Sequence, residues 1–316
     1  MGKANKVGRK IVWLANEFIN ICVLIAILLL LGFGSYALWD YSQVFNSASA
    51  KQYDIYRPTA ETGGEQLSFE ELTKINPEVI SWITIYGTNI DYPIAQAKDN
   101  LKYINTNAKG EYALTGSIFL DTHCSPDFSD FSSIIYGHHM DEQVMFGEIG
   151  SFTDKQYFDA RKYGELYYGG KYHGLEFFAF LHADAYDTSV FRTNIDSELA
   201  QEEYLKLIAK RAKNIRNDVT VTVKDKIVLL STCSGSSTNG RDILIAKITD
   251  TIYENTFKTA SDNPKASPII RGGIPGLWGK TPLWGKIGYV ALPFLIIILT
   301  IVLIYKKKQR LKKEKK

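Results

Sequence analysis

The sequence predicts a mainly β domain with helices, of the α+β class, closed into a barrel or sandwich and flanked by two transmembrane helices. Three observations predict it: short β-rich runs separated by turn residues, one clear amphipathic helix late in the chain, and a long uncharged stretch near each end.

The first uncharged stretch is residues 18–39, within which 21–33 is apolar apart from Gly32. About 20 such residues span a bilayer core of about 30 Å. Lys3, Lys6, Arg9 and Lys10 precede it, which keeps residues 1–17 in the cytoplasm as a basic tail. Tyr36 and Trp39 suit the far interface. Ala48-Ser49-Ala50 has the small residues of a signal-peptidase site, but it lies about ten residues past the apolar run, so an uncleaved anchor is expected.

The second stretch, residues 286–305, is uncharged from 287 onward and runs into a tail, 306–316, with eight basic residues against one acidic. Both termini are therefore expected in the cytoplasm of a two-span membrane protein whose middle lies outside the cell. Residues 1–10 carry +4 and residues 306–316 carry +7 of a total of +3, leaving −8 for everything between. Such an acidic middle gives no reason to expect nucleic acid as a partner, and the basic ends suit topology and contact with anionic membrane lipid.

Between the spans, residues 40–66 are polar and tyrosine-spotted and read as a stalk, 67–260 as one folded domain, and 261–285, rich in Pro and Gly, as a second linker. Ser68-Phe69-Glu70-Glu71 has capping-box spacing, with Leu67 and Leu72 placed as a hydrophobic staple. A short helix is expected from Phe69 to just before Asn76-Pro77. Strands are expected at 80–85, 117–120, 132–136, 175–181, 219–223, 227–231 and 243–248. The helix falls at 198–213, with Leu199, Tyr204, Leu205, Ile208 and Ala212 near helical spacing.

The strand at 227–231 runs through Thr232 straight into Cys233, and a Gly/Ser/Asn loop follows before Arg241 opens the next strand. That pattern presents a sulfur at a strand mouth, with Arg241 roughly opposite on an antiparallel return. A thiol reacts as thiolate, and histidine is the usual activator. The five histidines are His123, His138, His139, His173 and His182, and two of them end the β-rich run Ile134-Ile135-Tyr136-Gly137-His138-His139. Neighbours on an extended backbone face opposite ways, so one of that pair can meet the sulfur, and spacing leaves open which.

Each residue also has a plainer role. A cysteine ending an apolar strand is commonly a buried small hydrophobe, and an arginine after a loop is commonly a solvated charge. The His pair, with His123 and Cys124, could form a metal site, but zinc-type spacings are missing. Of the three cysteines, Cys22 lies in the first span, leaving Cys124 and Cys233 outside, where a disulfide would abolish thiol chemistry. Cys124, in a polar loop, is expected to be incidental and reduced.

At Leu230-Ser231-Thr232-Cys233, Arg241, Tyr136-Gly137-His138-His139-Met140 and Met145-Phe146-Gly147 the chain resembles the sortases, cysteine transpeptidases of the Gram-positive cell surface, and most of all class B. Thr88-Asn89-Ile90-Asp91-Tyr92-Pro93-Ile94 and Gly116-Ser117-Ile118-Phe119-Leu120-Asp121 extend the likeness over roughly residues 65–250. The resemblance implies the eight-stranded sortase barrel for 67–260 and selects His138, the residue directly after Gly137, over His139. It implies Cys233 as nucleophile, His138 as acid and base, and Arg241 as partner of substrate backbone or oxyanion. It further implies a thioacyl intermediate and no cofactor or metal. The implied partners are a secreted surface protein or pilin bearing a sorting motif, and an amine acceptor on a cell-wall peptide or a pilin lysine.

Ser231 shares a strand face with Cys233 and is a candidate substrate contact. Asn89 matches a groove-lining position of related enzymes, and Phe191 falls in the loop that caps that groove. A second anchor departs from the usual class B layout and resembles pilin-polymerising sortases. The carboxyl end itself looks like a sorting signal, yet it has no Leu-Pro-x-Thr-Gly ahead of the span; Ile274-Pro275-Gly276 comes nearest. Two other classes share parts of the pattern. A membrane-anchored cysteine hydrolase would resolve the thioester with water, and a surface receptor would have no need of Cys233.

Overall fold

The computed structural model describes residues 3–58, 68–140, 143–233 and 239–257. Helix α1, Lys3–Ala48, opens the chain and contains the expected span at 18–39. Among the described residues it is the one helix long and apolar enough to cross a membrane. The second expected span, the 261–285 linker and the basic tail lie outside the described residues.

A second compact unit runs from Asp40 to Pro264. Its strands are β1 (Val79–Ile85), β2 (Asp91–Ala95), β3 (Ile118–Leu120), β4 (Ser132–Tyr136), β5 (Tyr163–Tyr168), β6 (Lys171–Asp184), β7 (Asn214–Ile215), β8 (Lys226–Cys233) and β9 (Gly240–Thr249). They hydrogen-bond in the order β5-β1-β2-β3-β4-β8-β9-β6-β7, and a further β5–β6 pairing closes the first eight into the expected barrel. The first half of β6 closes the ring against β5, while Ala179 and Phe180, beyond a bulge, pair with β7. Two pairs are parallel, β2–β3 and β4–β8.

Alternation along the strands sends side chains to two cores. On β8, Val228 and Leu230 point into the barrel, where Phe146, Phe152, Phe177, Phe180 and Trp82 also meet. Ile227 and Leu229 point to the outer layer, packed with Ile134, Ile243, Ile245 and the buried Tyr204 and Ile208 of helix α4 (Glu198–Arg211). Helix α4 is the one read at 198–213, capped by Ser197, whose side chain accepts from the Ala200 amide. Leu199, counted on its apolar face, is exposed.

Other expectations need correction. Residues 219–223 form no strand; Val219 and Val221 pack on the outer core, and Thr222 is drawn into a turn with Asp225. Strand β2 was hidden by Pro93, which lacks a ladder donor, and β5 by its polar alternation around Gly164. Gly164 is needed there, since a Cβ would lie 2.5 Å from the Thr84 carbonyl oxygen. Helix α2 (Phe69–Ile75) starts as expected, but Ser68 makes no side-chain cap and Glu71 pairs instead with Lys74. Leu67 of the proposed staple lies outside the described residues. A further short helix, α3 (Lys155–Ala160), follows the β4 loop.

The segment read as a stalk is partly structural. Ala48, Tyr53 and Tyr56 are buried in the barrel core, and Arg57 pairs with Asp91 and Glu165. The Tyr92 hydroxyl, with its pKa pushed up to about 12 by burial, donates to the Ala48 carbonyl and accepts from the Met145 amide, each at 2.9 Å. Tyr92→Phe strands both backbone groups and is expected to cost about 1–3 kcal/mol in urea unfolding; an unchanged midpoint would show that water replaces the hydroxyl.

Candidate active site

Cys233 is the last residue of β8 and is exposed. It stands opposite Arg241 in the antiparallel β8–β9 register. On the other side of β8, the parallel register pairs Tyr136 with Ser231, closed by the Gly137 amide on the Ser231 carbonyl at 3.1 Å. His138 lies two residues beyond this last pair on one side, as Cys233 does on the other. Cys233 and Arg241 thus stand side by side on neighbouring strands, and His138 follows two residues past the end of β4.

Side-chain alternation places Cys233 and Arg241 on one face. Ile134 on β4, Ile227 and Leu229 on β8, and Ile243 and Ile245 on β9 all face the outer core. Cys233 and Arg241 continue the β8 and β9 series in steps of two, and His138 follows the end of β4. Arg241 reaches this region electrostatically, since its charge partly offsets the upward shift of the Tyr136 hydroxyl caused by burial and the Asp121 carboxylate.

The imidazole is held from the β2–β3 connection. His138 Nε2 lies 2.8 Å from the Ile104 carbonyl oxygen, so this nitrogen carries a proton and donates. The Phe146 amide donates to the His138 carbonyl at 3.0 Å, fixing the backbone there. Gly137 is required just before it: a Cβ would meet Ile118 Cδ1 at 2.5 Å and the Phe146 ring at 2.7 Å. His139 is exposed and bridges to Met145.

Among the substrate-contact candidates, Ser231 is buried on the same face, and its hydroxyl has no hydrogen-bond partner among the described residues. Phe191 packs against the outer core, its ring 6.4 Å from that of Tyr136. Asn89 is exposed in the β1–β2 turn, its backbone amide donating to Glu148 Oε2 at 2.8 Å. Cys124 is buried, its thiol pushed up to about 12 by burial, and it is free, as is Cys233. His123 turns to Asp121 and the Cys124 sulfur to the Ile134 amide, so the two do not converge on a shared ligand. The Ile104 carbonyl and the Tyr136–Asp121 bond escaped the sequence reading; Tyr136 at least stood inside the Tyr-Gly-His run.

The structure thus sets a free, exposed thiol at the end of a strand in a closed eight-strand barrel. No family model matches the chain. It is 31% identical over 210 residues to sortase B of Staphylococcus aureus, covering 65% of this chain and 81% of that protein. The crystal structure of sortase B from the type II pilus of Streptococcus pneumoniae matches with 46% identity and a TM-score of 0.52, over 58% of this chain and 99% of that one. A Staphylococcus aureus sortase B–substrate complex matches with 29% identity and a TM-score of 0.54, over 67% of this chain and 94% of that one. The chain belongs to the class B sortases.

Proposed function

We propose that this sortase is anchored in the cell membrane and joins secreted surface proteins to an amine through Cys233, His138 and Arg241. The observation that carries this reading is the exposed, unbridged Cys233 at the barrel rim, directly opposite Arg241. The thiolate attacks the backbone carbonyl carbon of a sorting motif, forming a C–S bond and an oxyanion that Arg241 stabilises. As the C–N bond breaks, His138 gives its proton to the leaving amine. A second amine then attacks the thioester, its proton passes to His138, and the thiolate leaves. One amide replaces another, with no oxidant, metal or cofactor consumed.

Phe191 and the exposed Asn89 border the peptide, while the buried Ser231 supports the strand just before Cys233. Helix α1 supports an amino-terminal anchor, and the uncharged stretch at 287–305 with its basic tail supports a second span with both termini inside. Two anchors and the pilus origin of the pneumococcal relative favour a pilin acceptor over a cell-wall peptide.

The test is to trap the thioacyl enzyme in cells, sequence the attached peptide, and offer that peptide with and without an amine. Amine-dependent product is expected, and hydrolysis at equal rate in both arms would favour the cysteine hydrolase. Arg241→Ala is expected to lower kcat by about a hundredfold or more; a fall in affinity alone would restrict Arg241 to binding.

A further inference from the structure

His182 on β6 and Asp242 on β9 stand opposite each other, one residue along from Arg241. Asp242 is 4% exposed, and its Oδ1 lies 2.6 Å from His182 Nδ1, so the ring donates to a buried carboxylate. The other ring nitrogen, Nε2, lies 3.3 Å from Thr153 Oγ1, and that oxygen accepts from Lys213 Nζ at 2.6 Å. Thr153 ends the tight turn Ile149–Thr153, and the turn's last two carbonyls accept from the buried Asn214 amide. Gly150 lies against the same carboxylate; a Cβ there would be 2.9 Å from Asp242 Oδ2. The turn is thus gripped from β6, β7 and β9 together.

That turn is tied back to His138 by backbone bonds. The Ile149 amide donates to the Phe146 carbonyl, and the Phe146 amide donates to the His138 carbonyl. A continuous path therefore runs from His138 through Phe146, Ile149 and Gly150 to Asp242, the residue next to Arg241. We propose that the His182–Asp242 pair is a cross-brace that sets His138 and Arg241 at their working separation on either side of Cys233, making His182 and Asp242 positioning residues. Neither touches the reacting atoms: on β9, Leu244 and Ala246 show that even-numbered side chains face the barrel interior, opposite to Arg241. A paired and hydrogen-bonded carboxylate can stay buried there, whereas an unpaired one would draw in water and loosen the turn.

The inference rests on the catalytic reading above, and the test separates the two. The full chain in detergent is treated with iodoacetamide across a pH series, and modification of Cys233 is followed at the peptide level by mass spectrometry, apart from Cys22. His138→Ala is expected to slow the reaction near neutral pH and move its profile toward that of an ordinary thiol. His182→Ala is expected to slow it by about tenfold in the same direction. His182→Asn, which puts an amide N–H where Nδ1–H stood, is expected to restore most of the rate. Thr153→Val, a milder change that deletes one link, is expected to give an intermediate rate. Leu72→Ala, which empties a core position on α2, is expected to lower the melting temperature and leave the Cys233 profile in place.

If His182→Ala folds and reacts like the parent while His138→Ala is slow, the brace is overturned alone. If His182→Ala fails to fold, a parent-like Thr153→Val overturns it. Equal slowing in Leu72→Ala reduces the pair to general stability and overturns it too. If His138→Ala reacts like the parent, the catalytic reading falls first.

Discussion

Cys233→Ala is expected to abolish thioacyl formation and amide exchange, with a fall in turnover on the order of a millionfold, as for loss of a nucleophile that acts as a unit with its base. The expectation depends on there being no substitute thiol. Cys124 is the other cysteine of the barrel unit, and burial holds its thiol near 12, far above the range in which thiolate forms at neutral pH. Cys124→Ala should therefore leave turnover close to that of the parent and cost only the packing of a small side chain. Intact-mass detection of the peptide adduct reads both variants. An adduct on Cys233→Ala, or its loss on Cys124→Ala, would move the nucleophile away from the end of β8.

The second large effect is expected far from the sulfur in sequence. Gly116 has φ +56°, where a side chain is strained, and a Cβ would lie 2.3 Å from the Tyr103 carbonyl oxygen and 2.5 Å from that of Ile104. Both neighbours are backbone, so they cannot swing away as a side chain would. Gly116→Ala must displace the very carbonyl that holds His138 Nε2. We expect a stability loss of about 1–3 kcal/mol from the strain, together with a fall in kcat of about a hundredfold from misplacing the imidazole. Calorimetry and kcat on the folded fraction separate the terms. Normal kcat in a destabilised variant would show that the Ile104 bond is dispensable.

The legible parts of the molecule were those written locally. The strand running into Cys233, the Gly137-His138 step and the Arg241 that opens β9 are short runs whose period and punctuation show in the chain itself. Closure of eight strands was available only from family likeness, because periodicity reports faces and not partners. The Ile104 carbonyl was invisible, being a backbone atom 34 residues from His138. The His182–Asp242 pair was equally hidden, since a histidine at position 182 gains its meaning from a strand 60 residues later. Strand β2 was missed because Pro93 argues against a strand wherever its neighbours are unknown, and the barrel supplies neighbours that need no donor from it. Residues 40–66 looked like a tether because their tyrosines are interspersed with charges; Tyr53 and Tyr56 are anchors all the same.

The parallel pairing of β4 with β8 has a consequence for synthesis. Parallel neighbours need a long crossover, and here it takes the whole chain from 137 to 225. Contacts of such sequence separation form late, after loop closure has been overcome. A growing chain therefore carries the His138 imidazole long before the Cys233 sulfur, and products truncated before β8 lack the proposed nucleophile altogether.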